Sequence, residues 1–257
     1  MASARERVAG FWDEHVRAWL AGDDPMVDPL PRWFASFQGR GAGLVTREGF
    51  PEPYAGDLLA RIGSPRLVVL GLNPGIYHPQ FQARDGIFAG QIRRYGSYSR
   101  WMATGPYFCP PWTTLVRPNR YYLSRLSFAQ RWLDDPGLTP VELLIFEAYP
   151  WHSTAVTAAM RPPADIIDAF VWQPIGELPT REVFAFGRPW DDLVTGLGLT
   201  CTDRLGLGGR DYGSAVRSRV VHVYLLPSGQ RLIVEWHTGG AGPPSGPETS
   251  LLKAALT

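Results

Sequence analysis

The sequence predicts an α/β protein: a three-layer sandwich around a mainly parallel, four-stranded central sheet, with a C-terminal hairpin strand. Short, continuous apolar runs recur at wide spacing, as expected of strands buried on both faces. Helical patterns fill the stretches between them, so neighbouring strands are joined by crossovers and run parallel. The last two runs alternate and flank a Pro-Ser-Gly-Gln turn at 227–230, a hairpin signal.

In chain order, Val8, Phe11, Trp12, Val16, Trp19 and Leu20 fall at helical spacing and predict an amphipathic N-terminal helix. Residues 21–64 are rich in glycine, proline and turn signals and read as a wrapping segment, with one short helix near Asp57–Ile62. The first core strand is RLVVLGL (66–72), ending in Asn-Pro-Gly; the second is VELLIFEAYP (141–150), ending in a proline loop. The third, REVFAFGRPW (181–190), leads into a helical pattern over 191–198. VVHVYLL (220–226) and RLIVEWH (231–237) form the hairpin.

The 257 residues suit one domain spanning 1–257: a wrapping segment over 1–64, a core over 65–245 and an insertion over 81–131. Glycine and proline, 28 and 24 residues, make up about a fifth of the chain, which predicts many loops without reaching the level of disorder. A net charge of +1 excludes a uniformly basic nucleic-acid coat but not a basic face balanced elsewhere. Two cysteines cannot supply a disulfide framework, a four-cysteine zinc site or an iron–sulfur cluster. The histidines and cysteines show no metal-ligand spacing, so no metal is expected. No apolar run approaches the ~20 residues of a membrane span, and the N-terminus lacks the apolar core of a signal peptide. The expectation is a cytoplasmic monomer with no membrane partner. Lys253 is the only lysine, so any bound anion meets arginine, a planar bidentate donor.

In parallel sheets ligands sit beyond the carboxyl ends of the strands. That rule singles out Asn73–Gly75, Glu147–Ser153, Gly187–Trp190 and 237–240. In Gly71-Leu72-Asn73-Pro74-Gly75 the proline stops the ladder and the glycines let a ligand approach the backbone. Asn73 is then held at the strand tip, where its amide can grip a water. An ordinary strand-to-loop turn fits the same residues.

This GLNPG segment resembles the first motif of the uracil-DNA glycosylase superfamily, in the form of its mismatch-specific and single-strand-selective branches. Asp85-Gly86-Ile87-Phe88-Ala89 resembles the segment whose phenylalanine stacks on an extruded base. LLIFEAYP resembles the strand whose tip usually carries a base-reading asparagine; Glu147 stands there. VEWHTGG falls where the superfamily has His-Pro-Ser or Asn-Pro-Ser, which aligns His237, with Thr238 and Gly239 replacing Pro-Ser. The resemblance runs in chain order from about residue 60 to 245.

It implies a DNA glycosylase that needs no cofactor. Such an enzyme flips a base out of DNA, sandwiches it and reads its edge. Breaking the N-glycosidic bond calls for a donor to the departing base and a positioned water on the sugar. The resemblance assigns the water to Asn73 and the donor to His237. Glu147, Phe88, Tyr77, Gly71 and Gly75 would surround the base, and Arg93, Arg94, Arg100, Gly239 and Gly240 would meet the DNA. No lysine lies near, so a Schiff-base lyase step is not expected. Glu147 points to a modified cytosine, such as the glucosylated hydroxymethylcytosine that anti-phage members of this superfamily remove from phage DNA. Uracil or mismatched thymine, and a non-catalytic DNA-binding module, are the alternatives.

The 81–131 stretch carries eight arginines, eleven aromatics and one acid, Asp85. Arginine for phosphate with aromatics for bases suits a nucleic-acid groove. An arginine-rich surface over a buried aromatic core fits the same composition.

Overall fold

The computed structural model describes residues 2–23, 26–60, 63–117, 120–157, 159–207, 219–237 and 242–256. The strands are β1 (Tyr54–Ala55), β2 (Leu67–Gly71), β3 (Leu143–Glu147), β4 (Glu182–Phe186), β5 (Cys201–Leu207), β6 (Arg219–Leu225) and β7 (Arg231–His237). They form one mixed sheet in the order β1-β3-β2-β4-β7-β6-β5.

The helices are α1 (Ala4–Ala21), α2 (Leu30–Ala35), α3 (Pro79–Gln82), α4 (Ile87–Tyr95), α5 (Tyr98–Met102), α6 (Trp112–Leu115) and α7 (Arg120–Trp132). After β3 come α8 (Ala164–Ile167), a π turn (Asp168–Trp172) and α9 (Gln173–Gly176); α10 (Arg188–Gly196) follows β4, and α11 (Gly246–Leu256) follows β7. None is long and apolar enough to cross a membrane.

The four expected core strands are adjacent and parallel, β3-β2-β4-β7, in matched registers such as Gly71↔Glu147, Leu70↔Ala185 and Phe186↔Glu235. β2 and β3 are buried along their whole length, which explains their continuous apolar composition. The sheet nonetheless has seven strands rather than four. β1 adds two antiparallel pairs, Tyr54↔Phe146 and Ala55↔Ile145. β6 joins β7 as the expected hairpin, and β5 extends it along the outer edge with a register shift at Cys201/Asp203. β5 is mostly exposed and carries few apolar residues, as edge strands do.

Ser3 caps α1 reciprocally with Glu6, and Gly22 closes it in the left-handed region, φ 103°. Its buried face, Val8, Trp12, Val16 and Trp19, is the predicted one. The short helix expected near Asp57–Ile62 is not formed. Asp57 Oδ1 accepts the Leu59 N–H at 3.0 Å and holds a turn instead, and residues 61–62 lie outside the described chain. The helix of this segment is α2.

α7 and α10 lie on opposite faces of the sheet. Phe128 and Trp132 of α7 pack on Phe184, and Phe128 also packs on Phe186. Asp191 of α10 bonds His222 and Tyr224, whose pairs on β7 are Val234 and Leu232. Val234 and Leu232 alternate with Glu235 and Ile233, the partners of Phe186 and Phe184. β2 has β3 on one side and β4 on the other, so chain progression reverses there. This is the position at which open α/β sheets leave a crevice beyond their carboxyl ends.

Candidate functional site

At the tip of β2, Gly71 makes room for two side chains. A Cβ there would lie 2.2 Å from the Tyr121 hydroxyl and 2.4 Å from Glu147 Oε2, which no L side chain tolerates. Glu147, paired with Gly71 across the parallel ladder, is 3% exposed. Its Oε1 accepts a hydrogen bond from Tyr121, while Oε2 has no hydrogen-bond partner among the described residues. Arg125, one turn along α7, lays its guanidinium 3.5 Å from the Tyr121 ring centroid. Burial pushes the Glu147 carboxyl up to about 8; the Arg125 charge and the Tyr121 hydrogen bond offset only part of that, and Glu52 adds to it. At neutral pH Glu147 is therefore mostly a neutral acid, with one donor and one acceptor.

The loop after β2 is braced against the loop after β3. Asn73 donates its amide to the Ser153 carbonyl at 3.1 Å, and the Gly75 carbonyl accepts the Ser153 N–H at 3.0 Å. Gly75 adopts φ 85°, which favours glycine. Tyr77 is half-buried, bonds the Glu48 carbonyl at 3.3 Å, and sits beside His152 with ring centroids 6.1 Å apart.

Beneath these loops lies a polar cluster that sequence reasoning missed. Glu52 Oε1 accepts from Gln82 at 2.7 Å and lies 3.4 Å from Nε2 of the fully buried His152. Tyr122 reaches its other oxygen at 3.3 Å, and the Gln82 side-chain oxygen Oε1 accepts the His78 N–H at 2.7 Å. The segment before β1, the loop after β2 and the loop after β3 are thus tied through one carboxylate. The only sequence signal was a glutamate inside an otherwise apolar stretch, FPEPYA.

At the other end of the parallel block, His237 closes β7, opposite Arg219 of β6. It lines a cavity of about 440 Å³ with Ser124, Ser127, Arg131, Arg219 and Glu248. Arg219 is buried between Glu235 at 3.0 Å and Glu248 at 3.1 Å, and donates to the carbonyls of Gly242 and Pro243. Burial raises Glu235 to about 8 despite Arg219, whereas hydrogen bonds from Arg219 and Ser245 outweigh burial at Glu248 and hold it at about 2.

The structure brings Gly71 and Glu147 together at the tips of β2 and β3; in the loops beyond, Asn73 and Gly75 bond Ser153 and Tyr77 sits beside His152. His237 stands at the far end of the row. Three inter-strand steps separate the two ends, about 14 Å, and α7 links them, through Tyr121 at one end and Ser124 at the other.

Other expectations need correction. Phe88 is fully buried in α4, ringed by Phe81, Trp101, Tyr107 and Trp112 at centroid distances of 4.9–5.5 Å. With no exposed face it is a core residue, because its helix turns it inward. Arg93 donates to the carbonyls of Leu20 and Arg84 at 3.1 and 3.0 Å, so its guanidinium braces α4 against the end of α1. Arg94 and Arg100, by contrast, are exposed as the expectation requires, Arg100 on α5, which packs on α1. Most aromatics of the 81–131 insertion are core rather than groove. Gly239 and Gly240 lie outside the described residues. Among the described residues no group of three or more His, Cys, Asp or Glu side chains could hold a metal ion.

No protein-family model, curated protein or solved structure matches this chain.

Proposed function

We propose that this chain is a monofunctional DNA glycosylase that hydrolyses the bond between deoxyribose and a modified cytosine, such as a glucosylated hydroxymethylcytosine of phage DNA. One observation carries the reading: a buried carboxyl, Glu147, whose Oε2 has no hydrogen-bond partner among the described residues, held against Gly71 beside the Asn73 loop at the tip of the first core strand. The resemblance of GLNPG and the parallel order of the four matching strands support it.

In this reading a flipped base enters between Glu147 and His237. Three inter-strand steps, about 14 Å, separate their strands, with β2 and β4 between them. The neutral carboxyl pairs edge-on with cytosine, donating to N3 and accepting from N4–H. As the C1′–N1 bond breaks, its electron pair stays on the base, the Glu147 proton passes to N3, and His237 donates to O2. A water held by Asn73 adds to C1′; the proton it releases returns to Glu147 through solvent. The products are the free base and an abasic site.

A second reading, uracil or mismatched thymine, draws on the same neutral carboxyl, which can also donate to O4 and accept from N3–H. Both readings use the carboxyl proton and both lose rate above pH 8, so the substrate that is cleaved tells them apart. The test is incubation with oligonucleotides carrying glucosylated hydroxymethylcytosine, uracil or a thymine mismatch, at pH 7 and 9, followed by alkaline cleavage at abasic sites. Cleavage of the modified-cytosine strand is expected, slower at pH 9 than at pH 7. Cleavage only of uracil or thymine strands selects the second reading, and no cleavage of any strand overturns both.

A further inference from the structure

Two cavities lie end to end along the outer stripe of α7. The larger, about 940 Å³, is lined by Val116, Arg117, Arg120, Leu123, Ser124 and Ser127. The smaller, at the His237 end, shares Ser124 and Ser127 and continues to Arg131. Positions 120, 123, 124, 127 and 131 recur at helical spacing and form one stripe. Tyr121, Phe128 and Trp132 form the neighbouring stripe that faces Glu147 and β4. From Arg120 to Arg131 the groove runs ~16 Å along the helix.

Its chemistry is two-sided. Leu123 is 44% exposed and, with Val116, gives the groove an apolar floor. Arg117 and Arg120 stand exposed at its mouth, and among the described residues that line the larger cavity there is no acid. At the other end Arg219 is matched by Glu235 and Glu248 and the half-buried Arg131 is tied to the Pro244 carbonyl, so the exposed positive charge gathers at Arg117 and Arg120. The natural occupant is an extended polyanion that also offers apolar faces. A single-stranded polynucleotide does so, whereas a duplex hides its base faces in the stack.

Resting on the DNA reading above, we infer that this groove is a track for single-stranded DNA. Phosphates meet Arg117 and Arg120, and bases lie on Val116 and Leu123. The strand then runs on toward His237. This assigns a single-strand preference to the protein and places its DNA contacts on α7 rather than on Arg93, Arg94 and Arg100.

The test is fluorescence anisotropy with a labelled twelve-residue oligothymidylate, a hairpin duplex of equal charge and a polyglutamate peptide. The wild type is compared with Arg117→Ser/Arg120→Ser and with Leu123→Asp. Tighter binding of the oligothymidylate than of the duplex is expected. The double arginine variant should lose about tenfold in affinity, and its slope of log K against log salt should fall by about 1.4, the share of two phosphate contacts on a single strand. Leu123→Asp should weaken single-strand binding and leave duplex binding as it was. Unchanged affinity and slope in the arginine variant, equal binding of the duplex, or tighter binding of polyglutamate would overturn the track. Base release assayed on the same samples keeps the two readings apart. Release by the wild type with unaltered binding in the variants overturns the track alone. Arginine-dependent oligonucleotide binding without any release supports the track and counts against the glycosylase.

Discussion

Glu147 ends β3 and Glu235 lies two residues before the end of β7, in one parallel block, and burial raises both carboxyls to about 8. Each has one oxygen without a hydrogen-bond partner among the described residues. Their neighbours differ. Glu235 faces Arg219, which Glu248 and two backbone carbonyls hold in place, so it belongs to an ion cluster that pins the segment before α11. Glu147 faces a tyrosine hydroxyl and a glycine, with the nearest cation turned onto the tyrosine ring. One carboxyl is braced; the other is left with hydrogen-bonding capacity to spend. Elevated proton affinity and a spare oxygen are common to both; what sets Glu147 apart among the described residues is that a tyrosine hydroxyl, rather than a guanidinium, bonds its carboxyl.

The largest effect is expected where the braced end is broken. Arg219→Met leaves Glu235 and Glu248 buried without a counter-charge and should cost about 3–5 kcal/mol of stability, read from urea unfolding at pH 7. A loss under 1 kcal/mol would remove the distinction between the two ends. At the open end, Asn73→Ala should slow single-turnover base release about 10³-fold while DNA affinity persists, since water positioning matters only in the chemical step. Equal loss of affinity would make the Asn73–Ser153 bond a scaffold contact only. His237→Ala should slow release about 10²–10³-fold, the scale for one preorganised donor, and an unchanged rate would dissociate the two ends of the row.

The smallest effect sharpens the comparison most. Glu235→Gln should change the rate less than about threefold. It should still alter the pH dependence of stability. A carboxyl held near 8 in the folded protein, against about 4.5 when unfolded, keeps its proton through that window. The folded state binds more protons there, so its stability falls as pH rises from about 5 to 8. Removing Glu235 should flatten that fall, and so should Glu147→Gln, measured as Tm between pH 5 and 9.

The core was legible because its strands are buried on both faces and therefore continuously apolar, as in LVVLG and LLIFE. β5 was not, since CTDRLGL lies exposed on an edge and owes its place to pairing with β6. β1 is two residues long and exists only as the partner of Phe146 and Ile145. Asn73 and Glu147 were legible because a sheet's carboxyl ends are marked by where its apolar runs stop. Tyr121, Glu52 and His152 were not, because their nearness to the site depends on how the crossover and the wrapping segment fold back. Phe88 and Arg93 misled for the same reason: composition names the residue types of an insertion but not which way its helices face.

Single-turnover release of a modified cytosine by wild type and Glu147→Gln, from pH 6 to 9.5, tests the claim that the Glu147 carboxyl serves the base. The wild-type rate should decline through pH 8 as the carboxyl loses its proton. Glu147→Gln, which keeps a donor and an acceptor but has no proton to give, should run about 10²-fold slower with a flat profile. Identical rates and profiles for the two proteins would make Glu147 a buried structural acid and contradict the account.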